Sequence, residues 1–305
     1  MSHRQTVATC MPVIETSNLT KFYGRRVGVS ALSLAIPAGQ LFGFLGPNGA
    51  GKTTTIRLLL GLLRANTGQA RVLGLDCWSA SHRVKAEIGY VPGDLRLYPW
   101  MTLRRSLWLV SRVRGRDLTT SGANLAKLFD LEPDVPVRKM SRGMKQKLGL
   151  ILAMAHNPKL LILDEPTTAL DPLVQYELYQ ELRRRAATGV TVFFSSHTLS
   201  EVESLCDRVV IIRQGVLAAD ATLAELRAQA PREVVIQWPD QQTCLQQPVP
   251  ACLEISAREG SSWKASLTGR PQELLTWSHN RALEDITIGA PDLETLFRSF
   301  YQQSE

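Results

Sequence analysis

Several things are scarce in this 305-residue chain, and each scarcity excludes a class of protein. No unbroken apolar run exceeds the six residues Leu150–Ala155, far short of the roughly 20 needed to cross a bilayer. The opening MSHRQTVATCMP has no apolar stretch of the secretory kind, so the sequence reads as a cytosolic protein. Its five cysteines (Cys10, Cys77, Cys206, Cys244, Cys252) are scattered, with no CxxC pair and no histidine at zinc-ligand spacing. They read as reduced thiols, with a Cys244–Cys252 bridge as the lesser alternative. Neither an internal repeat nor a low-complexity tract interrupts the text.

What is present suits a folded protein. The 44% hydrophobic content is ample for a sizeable core, and the length suits one large and one small domain. Charge is uneven. Residues 227–305 hold seven Lys/Arg and ten Asp/Glu, a net −3, which leaves +10 on residues 1–226. A basic N-terminal portion suits phosphate-bearing ligands, acidic partners or an anionic membrane face, and nucleic acid equally.

Apolar strand-like runs alternate with helical patterns through residues 13–225, the pattern of an α/β parallel sheet. LFGFL (Leu41–Leu45), LLIL (Leu160–Leu163) and VTVFFSS (Val190–Ser196) read as core strands. RVVIIRQGVLA (Arg208–Ala218) reads as two strands about the turn pair Gln214-Gly215. The stretch from about residue 79 to 157 is mostly helical, an insert within a domain spanning residues 1–226. Residues 227–305 read as a small α+β appendage with strands at Glu233–Trp238, Leu253–Ala257 and Trp263–Leu267. Its last helix, capped by Asp292, aligns Leu293, Leu296, Phe297 and Phe300 on one face.

Two segments carry chemistry. In LLILDEPTTALD (Leu160–Asp171) a uniformly apolar run, suited to a strand buried on both faces, ends in Asp164 and Glu165. Ligands of parallel sheets gather at the carboxyl ends of strands, and adjacent residues of an extended chain point opposite ways. One acid can therefore hold a metal while the other polarises a water. Taken alone, the segment also fits a strand closed by acidic loop residues. The second segment, Gly46-Pro47-Asn48-Gly49-Ala50-Gly51-Lys52-Thr53, matches GxxxxGK[ST] between a strand and a helix. Backbone N–H groups of such a loop, with Thr54 in the first helical turn, cradle phosphates of a nucleoside triphosphate. Lys52 reaches the β/γ oxygens, and the Thr53 hydroxyl joins the Mg2+ shell with Asp164, the latter partly through water.

Beside these two sites, the order of the remaining pieces resembles the ATP-binding-cassette ATPases over about residues 13–225. Ser141-Arg142-Gly143-Met144-Lys-Gln resembles the family signature in a variant form, Ala169-Leu170-Asp171 its D-loop, and His197 its switch histidine. Tyr23 matches the aromatic that stacks on adenine. The resemblance implies a P-loop fold with a parallel core sheet, an antiparallel β part and a helical insert. It also implies two copies meeting head to tail, so that Ser141 and Gly143 face the γ-phosphate held by the partner chain. Glu165 is then the catalytic base, His197 holds water and phosphate in line, and Asp171 lies at the dimer seam. One departure stands out: Gly93 occupies the place of the family's magnesium-contacting glutamine. Asp94 follows it, either taking over as a possible metal contact or leaving the role unfilled.

Cargo is set elsewhere. Leu95–Val113 shows Tyr98, Trp100 and Trp108 amid arginines and resembles the surface on which family members seat a membrane subunit; it also fits an ordinary packed helix. PDLETLFRSFY resembles the ending of ATPase subunits from ABC-2-type exporters of drugs, polysaccharides or lipids. The expectation is thus an ATP- and Mg2+-dependent exporter ATPase, peripheral on the cytoplasmic face of the membrane. Its partners are a second ATPase chain, a homodimer in preference to a heterodimer, and a separate transmembrane permease, with no nucleic acid. The alternative is a soluble superfamily member acting on nucleic acid or the ribosome. A single cassette, and a step of only 112 residues from Lys52 to Asp164, count against it.

Overall fold

A computed structural model describes residues 11–279 and 281–302, leaving Cys10 outside the described residues. The chain forms two compact units, Met1–Asp220 and Ala221–Glu305. In the first, β1 (Ile14–Tyr23) and β2 (Arg26–Ile36) make a hairpin and β3 (Leu41–Leu45) leads into α1 (Lys52–Leu59). Next come β4 (Thr67–Val72), β5 (Leu75–Asp76), α2 (Ser81–Glu87) and β6 (Ile88–Val91). The helices α3 (Leu103–Arg114), α4 (Thr119–Leu128) and α5 (Arg142–Met154) precede β7 (Leu160–Asp164). Then follow α6 (Pro172–Ala187), β8 (Thr191–Ser196), α7 (Leu199–Leu205), β9 (Arg208–Arg213) and β10 (Val216–Thr222).

Two sheets result. The main one has the order β10-β9-β3-β8-β7-β6, with β9 through β6 parallel. Every residue of β3, β7 and β8 is buried, as uniformly apolar runs require of strands covered on both faces. The other sheet, β2-β1-β4-β5, is antiparallel. Between them lies α1, which packs on β2 and β4 of one sheet and on β7 of the other. Ile56, Leu58 and Leu59 fill that layer. On the main sheet, α6 and α7 pack against β3 and β8. Within the segment read as mostly helical, β6 pairs with β7 as the sheet's edge.

In the second unit α8 (Leu223–Gln229) precedes β11 (Arg232–Gln237), α9 (Gln241–Gln246), β12 (Leu253–Glu259) and β13 (Ser262–Leu267). After them come α10 (Pro271–Ser278), β14 (Asp285–Pro291) and α11 (Leu293–Gln302). Its sheet, β12-β13-β11-β14, is antiparallel. The core is aromatic: Trp238 and Trp263 are fully buried with ring centroids 5.1 Å apart, and Trp277 packs on both. The four described cysteines are free thiols, so Cys244 and Cys252 do not pair. The compact units divide between residues 220 and 221, so α8 lies wholly within the second. The elements β14 and α9 lie outside those read from the sequence. Asp292 caps α11 through the Thr295 N–H, and Leu293 and Phe297 are buried on its expected face.

Candidate functional site

Residues 46–51 leave the end of β3 as a tight loop and deliver the chain into α1. The loop has no room for side chains at two of its glycines. A Cβ on Gly46 would lie 2.5 Å from the Ile212 carbonyl oxygen, and one on Gly51 would lie 2.5 Å from that of Gly28. Gly51 also has φ +112°, a conformation L-residues avoid. Lys52, Thr53 and Thr54 open the helix, whose first-turn N–H groups have no partner within it. Pro47, Asn48 and Gly49 are exposed, and Ala50 is buried beneath them. A cleft of about 360 Å³ lies over this loop, walled by Tyr23, Asn48, Gly49, Thr53 and Glu165. Arg26 and Arg57 line it as well. Sequence reasoning missed both arginines; their motif position carries no signal, and only the fold brings these cations to a phosphate cradle.

Sheet order places the two carboxylates beside the cradle, because β8 alone separates β7 from β3. Asp164 is 2% exposed. Its Oδ1 accepts the Ser195 hydroxyl at 2.6 Å and its Oδ2 the Thr53 hydroxyl at 2.9 Å. Thr53 and Asp164, expected to share a metal shell, are joined here by this hydrogen bond. Glu165 departs from the extended geometry assumed for it. It lies just beyond β7 with φ +50°, in the left-handed region that side-chain-bearing residues seldom occupy. A turn rather than strand alternation therefore aims its carboxylate. Its N–H donates to the Ser195 carbonyl at 3.1 Å. Its Oε1 stands 3.4 Å from Lys52 Nζ and 3.4 Å from His197 Nδ1. The Lys52 ammonium also donates to the carbonyls of Gly46 (2.7 Å) and Pro47 (3.3 Å). Lys52, Glu165 and His197 are thus one cluster.

The signature residues sit elsewhere. Ser141 caps α5, its hydroxyl accepting the Met144 N–H at 3.1 Å, and Arg142 is exposed. A Cβ on Gly143 would lie 2.6 Å from the Ala169 carbonyl oxygen. Gln146, buried one turn on, donates to the Pro166 carbonyl at 3.0 Å. The start of α5 is therefore seated on the loop that follows Glu165, and none of Ser141, Arg142, Gly143 or Met144 lines the cleft. Asp171 caps α6 by accepting the Val174 N–H at 3.0 Å, with Pro172 in the first turn. That bond holds its carboxyl below the usual carboxylate range.

Gly93 lies against Asp164, where an added Cβ would meet the Asp164 carbonyl oxygen at 3.5 Å and Oδ2 at 3.7 Å. The Asp94 carboxylate is 79% exposed, is bonded to Arg96 at 3.0 Å and does not line the cleft. Its expected metal contact gains no support from this arrangement. Tyr98, Trp100 and Trp108 are exposed, as read from the sequence, while Leu103 and Leu107 on the same stretch are buried.

The oxygens of Thr53 and Asp164 are a hard donor set that suits Mg2+, which is usually held by one or two protein oxygens together with phosphates and water. Among the described residues, no group of three or more His, Cys, Asp or Glu could hold a metal without such help.

Comparison with known proteins agrees with this geometry. The family profile described as "ABC transporter" matches residues 29–168. Over 232 residues the chain is 36% identical to a bacitracin transport ATP-binding protein of Bacillus licheniformis, covering 75% of this chain and 76% of that protein. It is 37% identical over 207 residues to Nod factor export ATP-binding protein I of Burkholderia orbicola, covering 66% and 68%. Among solved structures, the ATP-binding subunit of an ABC transporter matches with a TM-score of 0.67 and 28% identity, covering 70% of this chain and 92% of that one. A P-loop cradle, a carboxylate pair at the end of the next strand but one and relatives of this extent identify the chain as a member of the ABC transporter family, one of its ATP-binding ATPases.

Proposed function

We propose that this chain is the Mg2+-dependent ATP-hydrolysing subunit of an exporter, working as a dimer beside a separate transmembrane permease at the cytoplasmic face of a membrane. The observation that carries the catalytic reading is the position of Glu165 Oε1, 3.4 Å from both Lys52 and His197 at the mouth of the cradle. In this reading Tyr23 stacks on the adenine. The N–H groups of Gly49–Thr54 and the Lys52 ammonium hold the phosphates. Thr53 and Asp164 would hold Mg2+, which when bound would neutralise phosphate charge. Glu165 takes the proton of the attacking water, and His197 keeps that water and the γ-phosphate in line. Phosphoryl transfer depends mainly on positioning and charge, so each side chain here has a geometric duty.

Ser141 and Gly143 complete the site from a second copy. Their place at a helix N-terminus, outside this chain's own cleft, supports that reading. Relatives named for bacitracin transport and Nod factor export support the exporter reading. Among the described residues no helix is long and apolar enough to cross a membrane; the permease is assigned from the resemblance. Residues 1–226 would then be the nucleotide-binding domain, with the remainder as accessory. Glu165→Gln tests the chemistry. The purified variant should bind ATP normally yet hydrolyse it at least ~100-fold more slowly. Near-normal turnover would end the assignment.

A further inference from the structure

Behind the site, one carboxylate ties the two catalytic loops together. Glu201, in the first turn of α7, accepts the Thr167 hydroxyl on Oε1 at 2.6 Å and the Ser196 hydroxyl on Oε2 at 2.5 Å. Thr167 is two residues after Glu165, and Ser196 immediately precedes His197. Both hydroxyl-bearing residues are buried, Thr167 at 4% and Ser196 at 1% exposed. The Ser196 hydroxyl is further fixed by accepting the Thr198 N–H at 2.9 Å.

The result is a closed ring. On its outer side Glu165 and His197 meet at 3.4 Å. On its inner side their chain neighbours meet through Glu201. Among the described residues, Glu201 is a side chain that bonds both the segment 165–168 and the segment 196–198 on that side. The left-handed backbone of Glu165 gives that residue a reason to need such an anchor, since a strained conformation persists only where its surroundings over-determine it. Hydroxyl donors to an ionised acceptor make the stronger class of hydrogen bond.

We propose that Glu201 is a positioning residue for ATP hydrolysis, setting the separation of Glu165 and His197 without touching nucleotide itself. It does not line the cleft. The inference rests on the roles given above to Glu165 and His197. Three variants of the full chain separate reach from charge. Glu201→Gln keeps the reach: its amide oxygen accepts from one hydroxyl, and its NH2 donates to the other once that hydroxyl rotates. Glu201→Asp keeps the charge but is one methylene too short to meet both hydroxyls. Glu201→Ala loses both.

The measurements are kcat and KM for ATP, Kd for a fluorescent ATP analogue, and Tm. The Ala and Asp variants should lose about 10–100-fold in kcat, the scale of a small misplacement, with KM and Kd little changed. Glu201→Gln should keep at least about a third of wild-type kcat, because its bridge survives. Wild-type kcat in Glu201→Ala overturns the proposal. So does an Asp variant as active as the Gln variant, or a parallel loss of Tm, Kd and kcat in all three. Glu165→Gln, measured alongside, separates the two readings. If it is inactive while Glu201→Ala turns over normally, only the Glu201 role falls. If it stays active, the base assignment falls and takes the Glu201 role with it.

Discussion

Gly51 and Glu165 both occupy left-handed backbone, for opposite reasons. At Gly51 the fold needs the space as well as the φ, because the Gly28 carbonyl closes to 2.5 Å of where a Cβ would stand. At Glu165 a full side chain is held there by the bonds around it. Gly51→Ala should therefore cost about 1–3 kcal/mol of stability and weaken ATP-analogue binding, since the cradle must open to accept the methyl. Gly93 makes a control, as its Cβ would meet only ordinary contacts. Gly93→Gln should melt where the wild type melts, and a Tm lowered by several degrees would show the loop cannot take a side chain. Unchanged ATPase turnover in that variant would show that the missing glutamine does not limit the enzyme.

At the scale of elements, the C-terminal end of α5 is joined to β6 by His156, whose Nε2 bonds the Ile88 carbonyl oxygen at 3.1 Å. Burial, then the nearby Arg114, pushes its pKa down to about 4. The sign follows. The unfolded chain takes up a proton near the ordinary histidine value of about 6.5, while the folded chain resists protonation until near 4. Stability is therefore unaffected above about pH 6.5, falls as pH drops through the interval, and levels off below about 4. Thermal melts between pH 7 and 4.5 should show a decline that His156→Gln reduces; an identical slope in both proteins would remove His156 as its source. The long apolar strands were legible because burial on both faces leaves no polar alternation to confuse. β14 was not, since only half-buried residues mark it, and α9 is written in glutamines with one buried cysteine. The Asp240 cap of α9, accepting the Thr243 N–H, was the signal available.

For the whole molecule, the two units carry separate cores, one around α1 and the other around three tryptophans. The first holds every residue of the cradle and carboxylate cluster. Which partner the molecule drives is an experiment on the intact chain. Recovered from solubilised membranes by an affinity tag, it should bring a protein with about six apolar spans of some 20 residues. Recovery of RNA or ribosomes in its place would overturn the exporter reading.

The sequence by itself marked the cradle and the Asp164–Glu165 pair, because spacing along a strand or turn is local chemistry, while His197 was marked by the family resemblance. Tertiary structure decided what no spacing encodes. Strand order brought Asp164 to Thr53 across β8, and a left-handed turn aimed Glu165 at Lys52 and His197. Arg26 and Arg57 reached the cleft from separate elements, and Glu201 bridged two loops about 30 residues apart in the chain. Those contacts depend on which chain segments the parallel sheet sets side by side, and that order comes from packing the whole core at once.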